Sequence, residues 1–555
     1  MKASNKRLAW ASLLLAAGLL CGCAGGTQAP QGADTPPVRQ QLAAPPTQAV
    51  ELRVFLPAGQ TALATALQRL AAADGNTLKV QTTVTGSLYP STLEAALLGD
   101  EAPDLFWLET DEEATQLQTY TANLLQEGQG PLVQALAALV PGAARLVQEE
   151  AVYGLPVGWF AQGYLVNIEL LAALLGTQNQ GQLLRDLQAC SYAEWEQMMR
   201  TIENYLARPA AMQVQLAGAA YTMPVVRPAA AQPLRGIFAT PTGNATALCG
   251  NALDALYALC LAEYPALAQA DSQQKAAWLH PALTSLLGLL ELETTHMTQK
   301  NGTLRRGEGY SEQPTISTQE AAALFAEGTA LFYRADSREG HTLEAEYPAL
   351  EGRLALVPIK LPAPTQPPEE DAPPWAGTDD APQTDDDSGE NDEEEQPTAP
   401  EVDPDTDPDT ILQRLEAAVA QSNRRLWYAS DGYLCLNANA QQMYAAQSLL
   451  LRLYTTQEGQ AALADEVALQ PFSQAYPAAL LMQCVLQPAT AGQAPLPFGQ
   501  GANTAAQTQI GTHLQQQMMD TYTWSEEQRI EFLHDALSAM GASLAQEGPP
   551  EGDLD

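Results

Sequence analysis

The chain has 555 residues, 46 % of them apolar, which is enough for two or three compact units with real cores. Its 65 Asp and Glu outnumber 26 Lys and Arg, giving a net charge of −39. That excludes a protein holding nucleic acid through its phosphates, because such affinity comes from clustered cations.

Lys2, Lys6 and Arg7 form a positive start, and Leu8 to Leu20 form an apolar run shorter than the roughly 20 residues that span a bilayer. Leu20-Cys21-Gly22-Cys23 follows as a small-residue cleavage site. This arrangement resembles the bacterial lipoprotein signal and its lipobox. The resemblance implies removal of residues 1–22, lipidation of Cys23 and an extracytoplasmic protein anchored to the membrane by its acyl chains, about two of which give a stable hold. Cys190, Cys249, Cys260, Cys435 and Cys484 remain, an odd set without C-x-x-C spacing, so neither a disulfide framework nor a zinc site is expected.

Residues 23–50 are rich in Gly, Pro, Gln, Thr and Ala without periodicity, and read as a flexible tether. Glu51 to Leu56 reads as the first strand, and Leu63, Leu67 and Leu70 mark one face of a helix. Leu78 to Thr85 reads as a strand, Ser91 with Glu94 as a capping box, and Ala102 to Leu108 as a third, buried strand. This alternation predicts a parallel or mixed sheet covered by helices, with ligands beyond the carboxyl ends of the strands. Gly86, Ser87, Tyr89, Trp107 and Glu109 fall there. In Tyr153 to Asn167, Gly154 and Pro156 break a preceding helix, and Trp159, Phe160 and Tyr164 follow in an apolar run. The stretch reads as a crossing between two lobes.

Capping boxes at Ser191/Glu194, Ser317/Glu320 and Thr523/Glu526 predict three further helices. Ala330 to Tyr333 and Arg353 to Pro358 read as strands. Residues 363–410 hold 18 acidic residues and no Lys or Arg, and cannot bury enough apolar surface to offset ordering, so an acidic disordered insertion is expected. Asp403, Asp405, Asp407 and Asp409 lack the turn glycine and terminal glutamate of an EF-hand loop, and no metal site is assigned. Leu426 to Leu436 reads as extended, Met443 to Tyr454 as an amphipathic helix, and Ala491 to Gln509 as a loop.

No G-x-S-x-G, H-E-x-x-H, G-x-x-x-x-G-K-[ST] or G-x-G-x-x-G motif occurs, and the five histidines form no ligand-spaced pair. Several segments instead resemble, in order, the family 1 extracellular solute-binding proteins of bacterial ABC importers. They are Ala95 to Phe106 with its Gly-Asp-Glu-Ala-Pro-Asp core, Tyr153-Gly154-Leu155-Pro156 with Tyr164 to Asn167, Tyr192 to Trp195, Phe325 to Phe332, and Gln447 to Gln460. Val166 stands where that family carries Tyr, and its Gly-Pro-Trp turn is absent from 333–338.

The resemblance implies an α/β, two-lobed periplasmic-binding-protein-like fold of type II with interlobe hinge crossings. It divides the chain into 51–158 (first lobe), 159–354 (second lobe), 355–362 and 411–470 (first lobe again) and 471–555 (second lobe again). It also implies a monomer without cofactor or catalysis. Such a receptor captures a small solute, an oligosaccharide before any other class, and delivers it to an ABC permease. Aromatic faces would hold sugar rings, with Trp107, Trp159, Phe160, Tyr164, Tyr333, Trp427, Tyr428 and Tyr433 as candidates. Glu109, Asn167 and Asp431 would take hydroxyls, although Asn167 equally suits a local cap. The alternatives are an exported glycan hydrolase, whose carboxylate pair is invisible in so acidic a chain, and a surface lipoprotein of this fold that no longer transports.

Overall fold

The computed structural model describes residues 49–84, 88–109, 111–125, 146–148, 151–270, 272–298, 316–365, 407–429, 432–469, 471, 496–498, 525, 527 and 531. Residues 1–48, with Cys23, lie outside these. So do Gly86, Ser87, Asp431, Cys484, the span 366–406 and the Thr523/Glu526 box.

The first region opens with β1 (Glu51–Pro57), α1 (Thr61–Ala73), β2 (Thr77–Thr83), α2 (Tyr89–Leu97), β3 (Leu105–Leu108) and α3 (Asp111–Gln116). β1 pairs in parallel with both β2 and β3, as the alternation predicts. Leu52, Val54 and Leu56 face a core shared with Leu63, Leu67 and Leu70 of α1, while Phe55 faces a smaller cluster with Tyr89 and Leu93 of α2. That is the period-2 alternation of a strand covered on both sides. The box at Ser91 and Glu94 does not form. Pro90 suits the first turn of a helix, so α2 begins at Tyr89, and the Ser91 hydroxyl donates to the Leu88 carbonyl at 3.1 Å.

β4 (Leu146–Gln148) and β5 (Ala151–Pro156) complete this sheet, and β6 (Phe160–Asn167) starts the next. After β6 come α4 (Ile168–Leu174), α5 (Gln180–Ala189), α6 (Tyr192–Ala207), the hairpin β7 (Gln213–Leu216) and β8 (Ala219–Thr222), α7 (Ala245–Glu263) and α8 (Ser272–Thr295). α9 (Thr318–Ala326), β9 (Phe332–Asp336), α10 (Ser337–Glu346) and β10 (Leu354–Val357) follow. The boxes at Ser191/Glu194 and Ser317/Glu320 form in full, each serine accepting from the glutamate amide while the carboxylate accepts from the serine amide. Beyond 406 come α11 (Pro408–Ser422), β11 (Trp427–Ala429), β12 (Tyr433–Leu436), α12 (Met443–Thr455), α13 (Gln457–Ala461) and β13 (Leu496–Phe498). Asp407 caps α11 by accepting from the Thr410 amide.

The first sheet has the order β2-β1-β3-β12-β5-β4. In the second, β6 is central: β11 and then β10 pair along one side of it and β9 along the other, with β13 parallel to β11. β6 is buried through Val166, so it reads as one apolar run. Gly163 is required there, because a Cβ would collide with the Val357 carbonyl of β10.

Two segments fall on a different sheet from the one read in the sequence. β10 and β11, placed with the first lobe at 355–362 and 411–470, pair with β6 of the second sheet, and α11 packs on α7 and α8. The acidic stretch therefore lies between two elements of the second region. The chain rejoins the first sheet only at β12. β13 is a short strand within the stretch read as a loop.

Lys360, fully buried, fastens the segment after β10. Its ammonium donates to the carbonyls of Gln188 and Cys190 at 2.9 and 3.0 Å, near the end of α5, and to that of Asn423, after α11. These are helix-terminal carbonyls that otherwise lack donors. Burial pushes the Lys360 ammonium down to about 8.

Candidate functional site

The strand registers align residues at the end of each sheet next to the crossing. On the first sheet Leu108, Tyr433 and Pro156 stand side by side. On the second, Phe160 stands beside Ala429, and Gln162 lies between Trp427 and Asp336. In the described chain residues 157–159 connect one of these edges to the other, because β5 ends at Pro156 and β6 begins at Phe160; β11 ends at Ala429 and β12 begins at Tyr433. Backbone change in so short a crossing is what a hinge needs. The Tyr454 hydroxyl, from α12, fixes the start of the crossing by donating to the Pro156 carbonyl at 3.1 Å. Trp159, in that crossing, meets Tyr428 of β11 edge to face at 6.1 Å.

Gly432 directly precedes β12. A Cβ on it would lie 2.6 Å from both the Leu108 carbonyl and the Trp107 indole nitrogen, so only glycine lets the chain pass over Trp107. Trp107 is 1 % exposed, and its indole N–H has no partner among the described residues. Glu109, directly after β3, is half-buried, and its amide donates to the Glu113 carboxylate at 2.6 Å.

The second edge is charged. Asp336 caps α10, accepting from the amides of Arg338 and Glu339 at 2.8 and 3.0 Å, and it also binds the Arg338 guanidinium at 2.6 Å. That guanidinium lies 3.7 Å over the Phe160 ring, a cation–π contact. One step deeper on the same face of β6, the Tyr164 hydroxyl donates to Glu293 at 2.6 Å, and Arg334 pairs with Glu293 at 2.8 Å. Burial and the adjoining Glu293 carboxylate hold the Tyr164 phenol well above its ordinary range. Tyr164, Thr240, Pro241, Glu293 and Arg334 border a cavity of about 10 Å³, room for roughly one water.

Trp107, Trp159, Phe160, Tyr428 and Tyr433 thus gather at these edges, and all five are buried. Tyr433 turns to the small cluster with Phe55 and Tyr89. Four others have partners inside the second region. Tyr164 binds Glu293, the Tyr333 hydroxyl donates to Glu339 at 2.6 Å, and the Trp427 indole donates to Ser422 at 2.9 Å. Asn167 caps α4, accepting from the Leu170 amide at 3.1 Å. Asp336, Arg338, Glu293 and Gln162 were not singled out in the sequence. Only Asp336 carries a local signal, an aspartate in a cap position before a helix.

Against solved structures, three comparisons bear on this geometry. The bacterial solute receptor AcbH, with an exclusive substrate preference for β-D-galactopyranose, superposes with a TM-score of 0.52 at 10 % identity, over 90 % of this chain and 99 % of that one. A family 1 extracellular solute-binding protein from Alicyclobacillus acidocaldarius gives 0.50 at 11 % identity, over 90 % and 100 %. The apo form of RafE from Streptococcus pneumoniae gives 0.50 at 10 %, over 90 % and 99 %. The chain has the two-lobed fold of the extracellular solute-binding proteins. No family model matches the sequence, and no curated protein does. In this solute-binding fold the aspartate of the Ala-Pro-Asp segment has a plain task. Asp104 accepts from the Arg53 amide at 3.0 Å and the Gln442 amide at 2.9 Å, tying β1 and β3 to the approach to α12. Among the described residues, no helix is long and apolar enough to cross a membrane, and no cluster of His, Cys, Asp and Glu suits a metal ion.

Proposed function

We propose that this protein is an extracytoplasmic solute receptor, held at the membrane by lipid on Cys23, that closes its two lobes around an oligosaccharide and delivers it to an ABC permease. The observation that carries the reading is the three-residue crossing 157–159 between the two sheets, with Trp159 of that crossing packed on Tyr428 of β11. Rotation about the crossing exposes aromatic edges at Trp159, Phe160 and Tyr428 to a sugar face, and closure buries that face away from water. The Asp336–Arg338 pair and Glu109 are the candidate hydroxyl partners among the described residues, and Asp431 is a further candidate from the sequence alone. In this reading residues 51–158 belong to the first lobe and 471–555 to the second.

Thermal denaturation with a panel of galactose, maltose, raffinose, xylotriose and chitotriose tests this. A sugar at about 100 times its Kd stabilises the fold by about 2.7 kcal/mol. No shift with any of them removes the oligosaccharide reading. Trp159→Ala is expected to weaken binding of the responding sugar by about tenfold or more, read by calorimetry. Unchanged binding would return Trp159 to a packing role.

A further inference from the structure

Two buried polar atoms at these two edges have no hydrogen-bond partner among the described residues. They are the amide oxygen of Gln162 on the second sheet and the indole nitrogen of Trp107 on the first. Gln162 is 4 % exposed and Trp107 1 %. Leaving such a group unpaired costs about 1–3 kcal/mol, so each needs a reason. Both lie near the strand ends next to the crossing. Gln162 is two residues into β6, in register with Asp336 on one side and Trp427 on the other, and Trp107 is one residue from the end of β3, under Gly432.

Resting on the receptor reading above, we propose that Gln162 is a specificity-determining contact of the second lobe and that the bound solute hydrogen-bonds to Gln162 and Trp107 together. The two groups are complementary. The Gln162 oxygen only accepts, and the Trp107 nitrogen only donates. A carboxylate or phosphate could serve Trp107 alone, and an ammonium Gln162 alone. A hydroxyl both donates and accepts, so a polyhydroxylated solute serves both ends. The charges nearest Gln162 agree with an uncharged solute, because Asp336 and Arg338 are bound to each other and Arg334 to Glu293. The ligand class is therefore a neutral sugar rather than a uronic acid, an amino sugar or a sugar phosphate.

Gln162→Met tests this, because it keeps the length of the side chain and removes its polar atoms. With the same sugar panel plus glucuronate and glucosamine, wild type is expected to respond to a neutral sugar and not to the charged ones. The Met variant, without sugar, should melt at or above the wild-type temperature, since an unpaired buried group has been removed. Its affinity for the responding sugar should fall by about tenfold or more. A lower melting temperature with unchanged affinity would mean that Gln162 binds a structural water, and would overturn the inference. So would unchanged values of both, or a stronger response to a charged sugar. Should the Met variant not fold, Gln162→Asn keeps the carboxamide but withdraws it by one methylene, and is expected to weaken sugar binding with stability near wild type. If wild type responds to no sugar at all, the receptor reading itself fails; if wild type responds and the variant responds equally, only the role of Gln162 falls.

Discussion

The regions built on the two sheets bury different chemistry. Around the first sheet the one buried charged side chain among the described residues is Asp104, and both of its oxygens accept from backbone amides. Around the second, Asp186, His280, Glu293, His296 and Lys360 are all buried, together with Gln162. The first region resembles an apolar platform pinned by one carboxylate, whereas the second holds its elements through paired or capped charges. Buried charges add little net stability but are costly to unpair, so the second region tolerates fewer changes, and discrimination between solutes is expected to reside there.

The contrast can be broken most directly at its strongest points. Glu293→Ala leaves the Arg334 guanidinium buried without its counter-charge and removes the acceptor of Tyr164. A loss of about 3–5 kcal/mol is expected in urea denaturation. Asp104→Ala removes two amide acceptors in the first region and is expected to cost less, about 2 kcal/mol. If the Asp104 variant proves the weaker of the two, the contrast between the regions is wrong.

A smaller effect sharpens it through pH. Burial pushes His280, on α8, down to about 4. In the unfolded chain it protonates near 6.5, so the unfolded state binds the extra proton between these values. The stability contributed by neutral His280 is full above pH 6.5 and is lost on acidification toward pH 4. A fall of about 1.5 kcal/mol between pH 6.5 and 5 is expected, and His280→Leu should flatten that limb of the stability profile. An unchanged limb would show that His280 takes up its proton without cost in the fold.

Much of this organisation can be read locally. Leu63, Leu67 and Leu70 mark the buried face of α1, and Ser191 and Ser317 open their helices, because helix periodicity and capping depend on residues a turn apart. The crossing after Pro156 falls where the sequence places it, but Gly154 and Pro156 end no helix there: they lie within strand β5, held by its pairing with β12 and β4. The same local reasoning fails at Ser91, where Pro90 starts the helix earlier. Sheet membership is another matter. Nothing within Leu354 to Val357 or Trp427 to Ala429 states which sheet each strand joins, since pairing is decided by β6, nearly two hundred residues or more away in the chain.

By itself, then, the sequence determined the α/β alternation, the helix starts at Ser191 and Ser317 and the place of the crossing after Pro156, all written in neighbouring residues. Tertiary structure alone decided which aromatics meet at the crossing, that Asp336 grips an arginine over Phe160, and that Gln162 and Trp107 end without partners. A glutamine in an apolar run and a tryptophan near a strand end carry no mark of being unsatisfied. Hydrogen-bond satisfaction depends on every element packed around a side chain, and those elements come from distant parts of the chain.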